Sequence, residues 1–592
     1  MPTPTNRTLI FGGPVLTQNE QRETHEAVVL EGDTVVATGS FDAMNSLAGA
    51  SARRIDVKGA CVMPGILDSH PHFLHTGAQD VWAVNLYDAR DHADIVARIR
   101  AHVAHVPAGM WVFATPVGEP NYMLRRSYKN LTEGCLPDRR VLDTAAPDHP
   151  LMIMALSPVV PNIVAMNSKA LQVLGITRET PDRAGDVWIE KDANGEPTGI
   201  FTGTVISYYN PDAFWREQIQ AKMMAAPPPD ELWYHGGLLG QARAHRWGTT
   251  GAYECHAMEL AHLLGYKRLR DDGRLAMRVL GTLEVAPAPW DFGASLTDEH
   301  IRFNLAHAAL LTSKDDPILR FNGATLGIDG PCWAGLLRMD KPYPDPYGRP
   351  TTGHDFVSPE MEKEIIHYCA HHKVRLNLIQ AGQTDHRQFL EILEAEKLED
   401  AVRKADWVMQ HNMVIDEATI RRYADLKLNL TTSMSFRWGK GDMYRERLGE
   451  EMMDQVIPVG RLFASGANTS LGQDWGPFSP FEHMKLARTG ELALSDFRNA
   501  ASSHTINAQQ ALDAWTVNTA TLMQWEGIGA LKPGYKADIA IVDHNPLTAD
   551  LDALARTEVL RTVFDGRDVY DTGVLPRIDE APLPTRLPNL AR

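Results

Sequence analysis

The sequence predicts an α/β protein: a (β/α)8 TIM barrel with a small β-sandwich domain built from both termini. Three observations point there. Short apolar runs alternate with amphipathic helical stretches through the middle of the chain. Strand-rich pieces stand at both ends. A histidine pair, His70 and His72, follows directly on an apolar run, at the point where a first barrel strand would open its mouth. Parallel strands need crossover helices, and enough strand–helix units fit between residues 64 and 525 to close eight of them.

Residues 1–63 carry TLIFGGPVLT, AVVLEGDTVVATGS and RRIDVKGACVMPG, apolar runs separated by turns, with Asp33 where a tight hairpin reverses. The pattern returns after residue 526 in GALKPGYKADIAIVD and EVLRTVFDGRDVYDTG, so one sandwich built from 1–63 and 526–592 is expected. In the 64–525 region, LRFNGATLG, VRLNLIQAG, DWVMQHN and LKLNLTTSM read as strands. PEMEKEIIHYCAHH (359–372) reads as a helix with Ser358 as N-cap, Pro359 at its first position and Met361, Ile365 and Tyr368 on one face. DEATIRRYADL (416–426) reads as another, capped by Asp416. Residues around 110–235, with the loops APDHP and DANGEPTG and the proline run AAPPPDE, read as an insertion, and the tail DEAPLPTRLPNLAR as irregular.

At 592 residues, 44% hydrophobic and 22% charged, the chain can bury a large core and is not a disordered protein. A net charge of −17 without basic clusters argues against nucleic acid as a partner. The five cysteines are scattered and never paired as C-x-x-C, which fits a reducing compartment. The start MPTPTNRTLIF lacks a basic-then-apolar leader, and no apolar run of membrane-spanning length occurs. A soluble cytoplasmic protein, with no membrane partner and with a homodimer as a fair expectation, is the default.

The histidine pair sits in PGILDSHPHF (64–73), which resembles the first-strand signature of the amidohydrolase superfamily, while GIGALKPGYKADIAIVD with DGRDVYDTG resembles its C-terminal sandwich motif. LDTAAPDHPLMIM, MNSKALQVLGI, GEPTGIF, GTTGAYE, GRLAMRV and WTVNTATLM narrow the likeness to the amidohydrolase-3, YtcJ-like branch, which includes N-substituted formamide deformylases. The resemblance implies one or two divalent metals held by H-x-H from strand 1, a carboxylated lysine or other bridging ligand, histidines from strands 5 and 6, and an aspartate from strand 8. On this chain those positions are His70 and His72, His411 in DWVMQHN and Asp474 in SLGQDWGP. Three family motifs depart from the pattern, at four positions. The strand-5 motif reads Ile379 where histidine is usual and Gln383 where aspartate is usual, the bridging-lysine slot is Thr325, and Asn162 stands where relatives carry histidine.

The expectation is therefore one metal, zinc first with iron or manganese as alternatives, held by His70, His72 and Asp474 with His411 as ligand or catalytic neighbour. Glu254 and His256 in AYECHAMEL could supply a replacement ligand or be ordinary core residues. Such a metal would polarise a carbonyl and acidify water, Asp474 would shuttle the proton, and His411 would steady the oxyanion. Hydrolysis of an amide, N-formyl or N-acyl C–N bond in a small apolar or aromatic substrate follows, with Trp82, Trp333 and Trp438 as aromatic candidates and FRWGKGDMY (436–444) over the mouth. Two other readings stay open: a lyase, hydratase, decarboxylase or iron or manganese redox enzyme, and a binding relative without catalysis.

Overall fold

The structure, a computed structural model, describes residues 7–118, 124–223, 230–286, 297–579 and 583–584. Most of the proline run at 225–231 and of the C-terminal tail lies outside them.

Eight parallel strands form the barrel: β1 Ile66–Asp68, β2 Thr249–Glu254, β3 Arg278–Glu284, β4 Leu319–Gly327, β5 Leu376–Gln380, β6 Val408–His411, β7 Asn429–Thr432 and β8 Thr469–Leu471. Ladders join them in sequence order from β1 to β8. Apart from half-buried Arg320 and Phe321 near the start of β4, their residues are buried on both faces, as expected of strands sheathed by helices. The expected helices form where the caps place them: Pro359–His372 with Ser358 accepting from the Met361 N–H, and Glu417–Asp425 with Asp416 accepting from the Thr419 N–H.

The ring closes at its mouth without a β8–β1 ladder. The Asp474 N–H donates to the His70 carbonyl at 2.8 Å, and the Gln473 N–H donates to Asp68 Oδ1 at 3.2 Å. Lower down, the Leu67 N–H donates to the Trp515 carbonyl at 2.8 Å, so the segment after β8 fills the seam. Gly472 makes the approach possible, because a Cβ there would lie 2.5 Å from the Cβ of His70.

Strands from both ends of the chain make one hydrogen-bonded sheet of eight. Arg7–Leu16 pairs with Thr24–Glu31 on one side. On the other it pairs with Arg53–Asp56 along its first half and touches Cys61–Pro64 at Val15. Cys61–Pro64 then pairs antiparallel with Ile539–Val542. The change of partner falls at Gly12–Gly13, where a Cβ on Gly13 would meet the Ala60 carbonyl oxygen at 1.9 Å. The sheet folds over there, and Ile10, Val28, Val62, Ile539 and Val563 meet in its interior. Arg278 of β3 fastens barrel to sheet, its Nε 3.0 Å from Asp538 Oδ2 and its Nη2 on Asp565.

Between β1 and β2 the chain makes a seven-stranded sheet running from Ala83–Val84 to Pro197–Gly203. The loop that leaves its last strand brings Tyr208 and Tyr209 over the barrel mouth. Among the described residues no helix is long and apolar enough to cross a membrane, and all five cysteines are free.

Candidate metal and active site

His70 and His72 lie just past β1 rather than on it, so strand alternation is not what orients them. His72 takes a left-handed conformation (φ 74°) and begins the helix Phe73–Trp82. The two rings meet edge to face, centroids 5.3 Å apart. His411 closes β6 at φ 68°, and Asp474 follows β8 at φ 52°. Three of these four side chains thus hang from backbone that L-residues seldom adopt, a strain that marks functional loops.

The geometry selects a tight trio. One donor atom each from His70, His411 and Asp474 lies within 4.8 Å of the others, and all three residues are buried. His411 Nε2 is 3.8 Å from Asp474 Oδ2, while His72 Nε2 sits beside the trio, 3.5 Å from Asp474 Oδ1. His70 Nε2, His411 Nε2 and both nitrogens of His72 have no hydrogen-bond partner. Buried polar atoms are rarely left so.

Protonation suits a cation site. Burial, partly opposed by Asp474, pushes the His70 imidazole down to about 3, and burial lowers His72 and His411 as well. All three rings are neutral at pH 7 and can offer lone pairs. Burial opposes the charge of Asp474, but the facing rings of His72, His70 and His411 outweigh it and hold its carboxyl well below the usual carboxylate range. Neutral imidazoles around an ionised carboxylate form the donor set of a borderline dication, so the residues fit such a metal.

The sequence did not reveal what aims His70. Its Nδ1 is 2.8 Å from Gln410 Oε1, an amide oxygen that can only accept, so the proton sits on Nδ1 and the Nε2 lone pair faces the trio. Gln410 is fixed in turn by the Thr431 hydroxyl at 2.9 Å and by Asn377 Oδ1 at 3.0 Å. Thr325, in the bridging-lysine slot, spends its hydroxyl on the Cys255 carbonyl at 2.7 Å. Glu254 is held away from the trio by other bonds: it accepts from Tyr266 Oη at 2.5 Å and from the Leu74 N–H at 3.3 Å. His256 does reach the site, its ring 5.5 Å from that of His70 and 5.3 Å from that of His72. Asn162 stays in the inserted sheet, bonded to the Ser157 carbonyl.

A model of the amidohydrolase family matches residues 53–570. The chain belongs to the amidohydrolase family. The putative amidohydrolase YtcJ of Bacillus subtilis is 23% identical over 571 residues, covering 95% of this chain and 98% of that one. The N-substituted formamide deformylase of Arthrobacter pascens is also 23% identical, over 94% of this chain and 97% of its own. Among solved structures, an uncharacterised metal-dependent hydrolase from Pyrococcus horikoshii superimposes with a TM-score of 0.68 at 19% identity, over 92% of this chain and 99% of that one. That likeness extends to the fold.

In this amidohydrolase His411 and Asp474 of the trio line a cavity of about 50 Å3, walled further by Tyr208, Tyr209, Trp333, Phe436, Lys440 and Trp475. Of the three tryptophans singled out in the sequence, only Trp333 is in that wall. Trp82 packs on Phe113 in the inserted sheet, and Trp438 is covered by Arg125. Trp475 stacks on His72 with centroids 5.0 Å apart. Lys440, on the helix Met434–Leu448, lies 5.3 Å over the Trp333 ring, and burial lowers its ammonium to about 7. Trp475 directly follows Asp474, the one local signal it carries; Phe436 and Lys440 both lie in FRWGKGDMY, the stretch expected over the mouth, while nothing local marks Gln410.

Proposed function

We propose that this amidohydrolase hydrolyses the C–N bond of a small amide, N-formyl or N-acyl substrate with an apolar or aromatic body, using one divalent cation, zinc first. His70 Nε2, His411 Nε2 and Asp474 would hold the cation, with His72 beside them. The observation that carries the reading is the convergence of partnerless, neutral imidazole nitrogens on one buried carboxylate. When bound, the cation supplies Lewis acidity, polarising a carbonyl and making water acidic enough to ionise near neutral pH.

The protein's own groups do the rest. Asp474, ionised at all working pH, takes the proton of the attacking water on a carboxylate oxygen and passes it to the leaving nitrogen. Gln410 keeps the His70 proton on Nδ1 throughout. Trp333, Phe436 and Trp475 exclude bulk water and pack the body of the substrate. The strand-4 and strand-5 positions that would serve a second cation hold Thr325 and Ile379, hydroxyl and hydrocarbon, which favours one metal over two.

Protein purified without added metal, analysed for metals and screened on N-formyl and N-acyl amines, tests this. Zinc near one equivalent with amine release supports it. Iron or manganese with no hydrolysis would favour a lyase or redox reaction, and the absence of tight metal binding would leave a non-catalytic relative.

A further inference from the structure

The inserted sheet delivers one side chain whose placement the metal trio does not explain. Tyr209 lines the cavity with His411 and Asp474, and its backbone is left-handed at φ 49°, unusual for a bulky residue. The loop is built to hold it so. Asn210 Nδ2 bonds the Thr204 and Ile206 carbonyls at 3.0 and 2.6 Å, and Asp212 accepts from the Asp186 and Trp215 N–H groups at 2.7 and 2.9 Å. Phe356 stacks on the ring at 5.7 Å and Trp333 meets it edge-on at 6.2 Å.

Behind Tyr209 stand two more side chains from the barrel. Its hydroxyl is 3.1 Å from His256 Nε2, and His256 Nδ1 is 3.6 Å from Glu284 Oε2 at the end of β3. Glu284 Oε2 also accepts the Ala257 N–H at 2.9 Å, fixing the turn that carries His256. Glu284 beside Nδ1 favours the ring proton there, so His256 Nε2 accepts the Tyr209 O–H at rest, and an oxyanion forming in the cavity, a stronger acceptor than the imidazole, draws that O–H to itself.

We propose that Tyr209 is the group that donates a hydrogen bond to the substrate's carbonyl oxygen as it becomes an oxyanion, with His256 and Glu284 as its positioning residues. This rests on the hydrolytic reading above. Burial and the nearby Glu284 and Asp474 raise the phenol well above the usual tyrosine range, so it stays a donor at any working pH. Loss of one such donor in other hydrolytic sites costs about 10^2–10^3 in kcat.

The test uses zinc-loaded protein and two probes: 4-nitroformanilide for turnover and phenylphosphinate, a stable tetrahedral oxyanion, for binding by calorimetry. Tyr209→Phe is expected to keep one equivalent of zinc, to weaken phenylphosphinate binding at least ten-fold, and to lower kcat by about 10^2 with KM little changed. Replacement of Tyr209 by 3-fluorotyrosine, more acidic but isosteric, should shift kcat, whereas a purely structural role would not. His256→Asn should reproduce part of both losses. Equal phenylphosphinate affinity in wild type and Tyr209→Phe, or no binding to zinc-loaded wild type, overturns the proposal. Failure of the wild type to hold metal at all sinks the hydrolytic reading instead.

Discussion

Replacing Asp474 by asparagine separates charge from shape at the centre of the site. At φ 52° the residue is left-handed, a conformation that asparagine accepts as readily as aspartate. Its Oδ1 takes the Trp475 N–H at 2.8 Å, which an amide oxygen can also accept. What disappears is the negative charge facing His72 at 3.5 Å and His411 at 3.8 Å, together with the proton acceptor. Proton transfer by a positioned side chain is worth about 10^2–10^4 in rate. We expect Asp474→Asn to fold normally and to lose about 10^3 in kcat, roughly 4 kcal/mol of barrier at 1.36 kcal/mol per decade. The assay is 4-nitroaniline release under saturating zinc, with zinc content measured on the same sample, because the variant also gives up an anionic donor. A variant carrying full zinc that keeps more than about a tenth of wild-type kcat, far above the range for a lost proton shuttle, would refute the role given to Asp474.

Three other outcomes follow from the same contacts. Arg278→Met leaves Asp538 buried without its cation at the junction of barrel and terminal sheet, and should cost about 3–5 kcal/mol; adding Asp538→Asn should restore much of the loss in urea unfolding, and no recovery would show the pair to be unimportant. His245 Nε2 donates to the Ala276 carbonyl at 2.9 Å, and burial lowers its imidazole from 6.5 to about 4. Its folded form therefore resists a proton that the unfolded chain takes up, so the stability it contributes is present at pH 7.5 and drains away as pH falls from 6.5 toward 4, by about 2 kcal/mol at pH 5; His245→Gln should flatten that part of the profile, and an unchanged slope counts against it. Glu254→Gln should leave zinc stoichiometry at its wild-type value, whereas His70→Asn should lower it, and the reverse pattern would mean that the ligand set is misassigned.

Much of the architecture was legible in the chain because it rests on local rules. Apolar runs of strand length, Ser358 and Asp416 at helix starts, and the turn at Asp33 each specify their element within a few residues. The histidines and aspartate were legible as residue types at strand ends. Their assembly was not. His72, His411 and Asp474 are aimed by left-handed backbone, which only the closed barrel can enforce, and His70 is aimed by Gln410, which lies 340 positions away in sequence. Likewise Glu254 and His256 share one short motif, yet packing turns the first into a bonded core acid and brings the second to the cavity.

The sequence by itself determined which segments become strands and helices and which ligand types are present, because these depend on composition and spacing along the chain; its resemblance to the family further implied that the usual lysine and strand-5 histidine are gone. Only the tertiary structure decided which donors meet in one trio, which ring nitrogen faces inward, and that a tyrosine from the loop after the inserted sheet joins His411 and Asp474 in one cavity wall. Those outcomes turn on distances of a few ångströms between segments hundreds of residues apart, set by barrel closure and core packing rather than by any local preference.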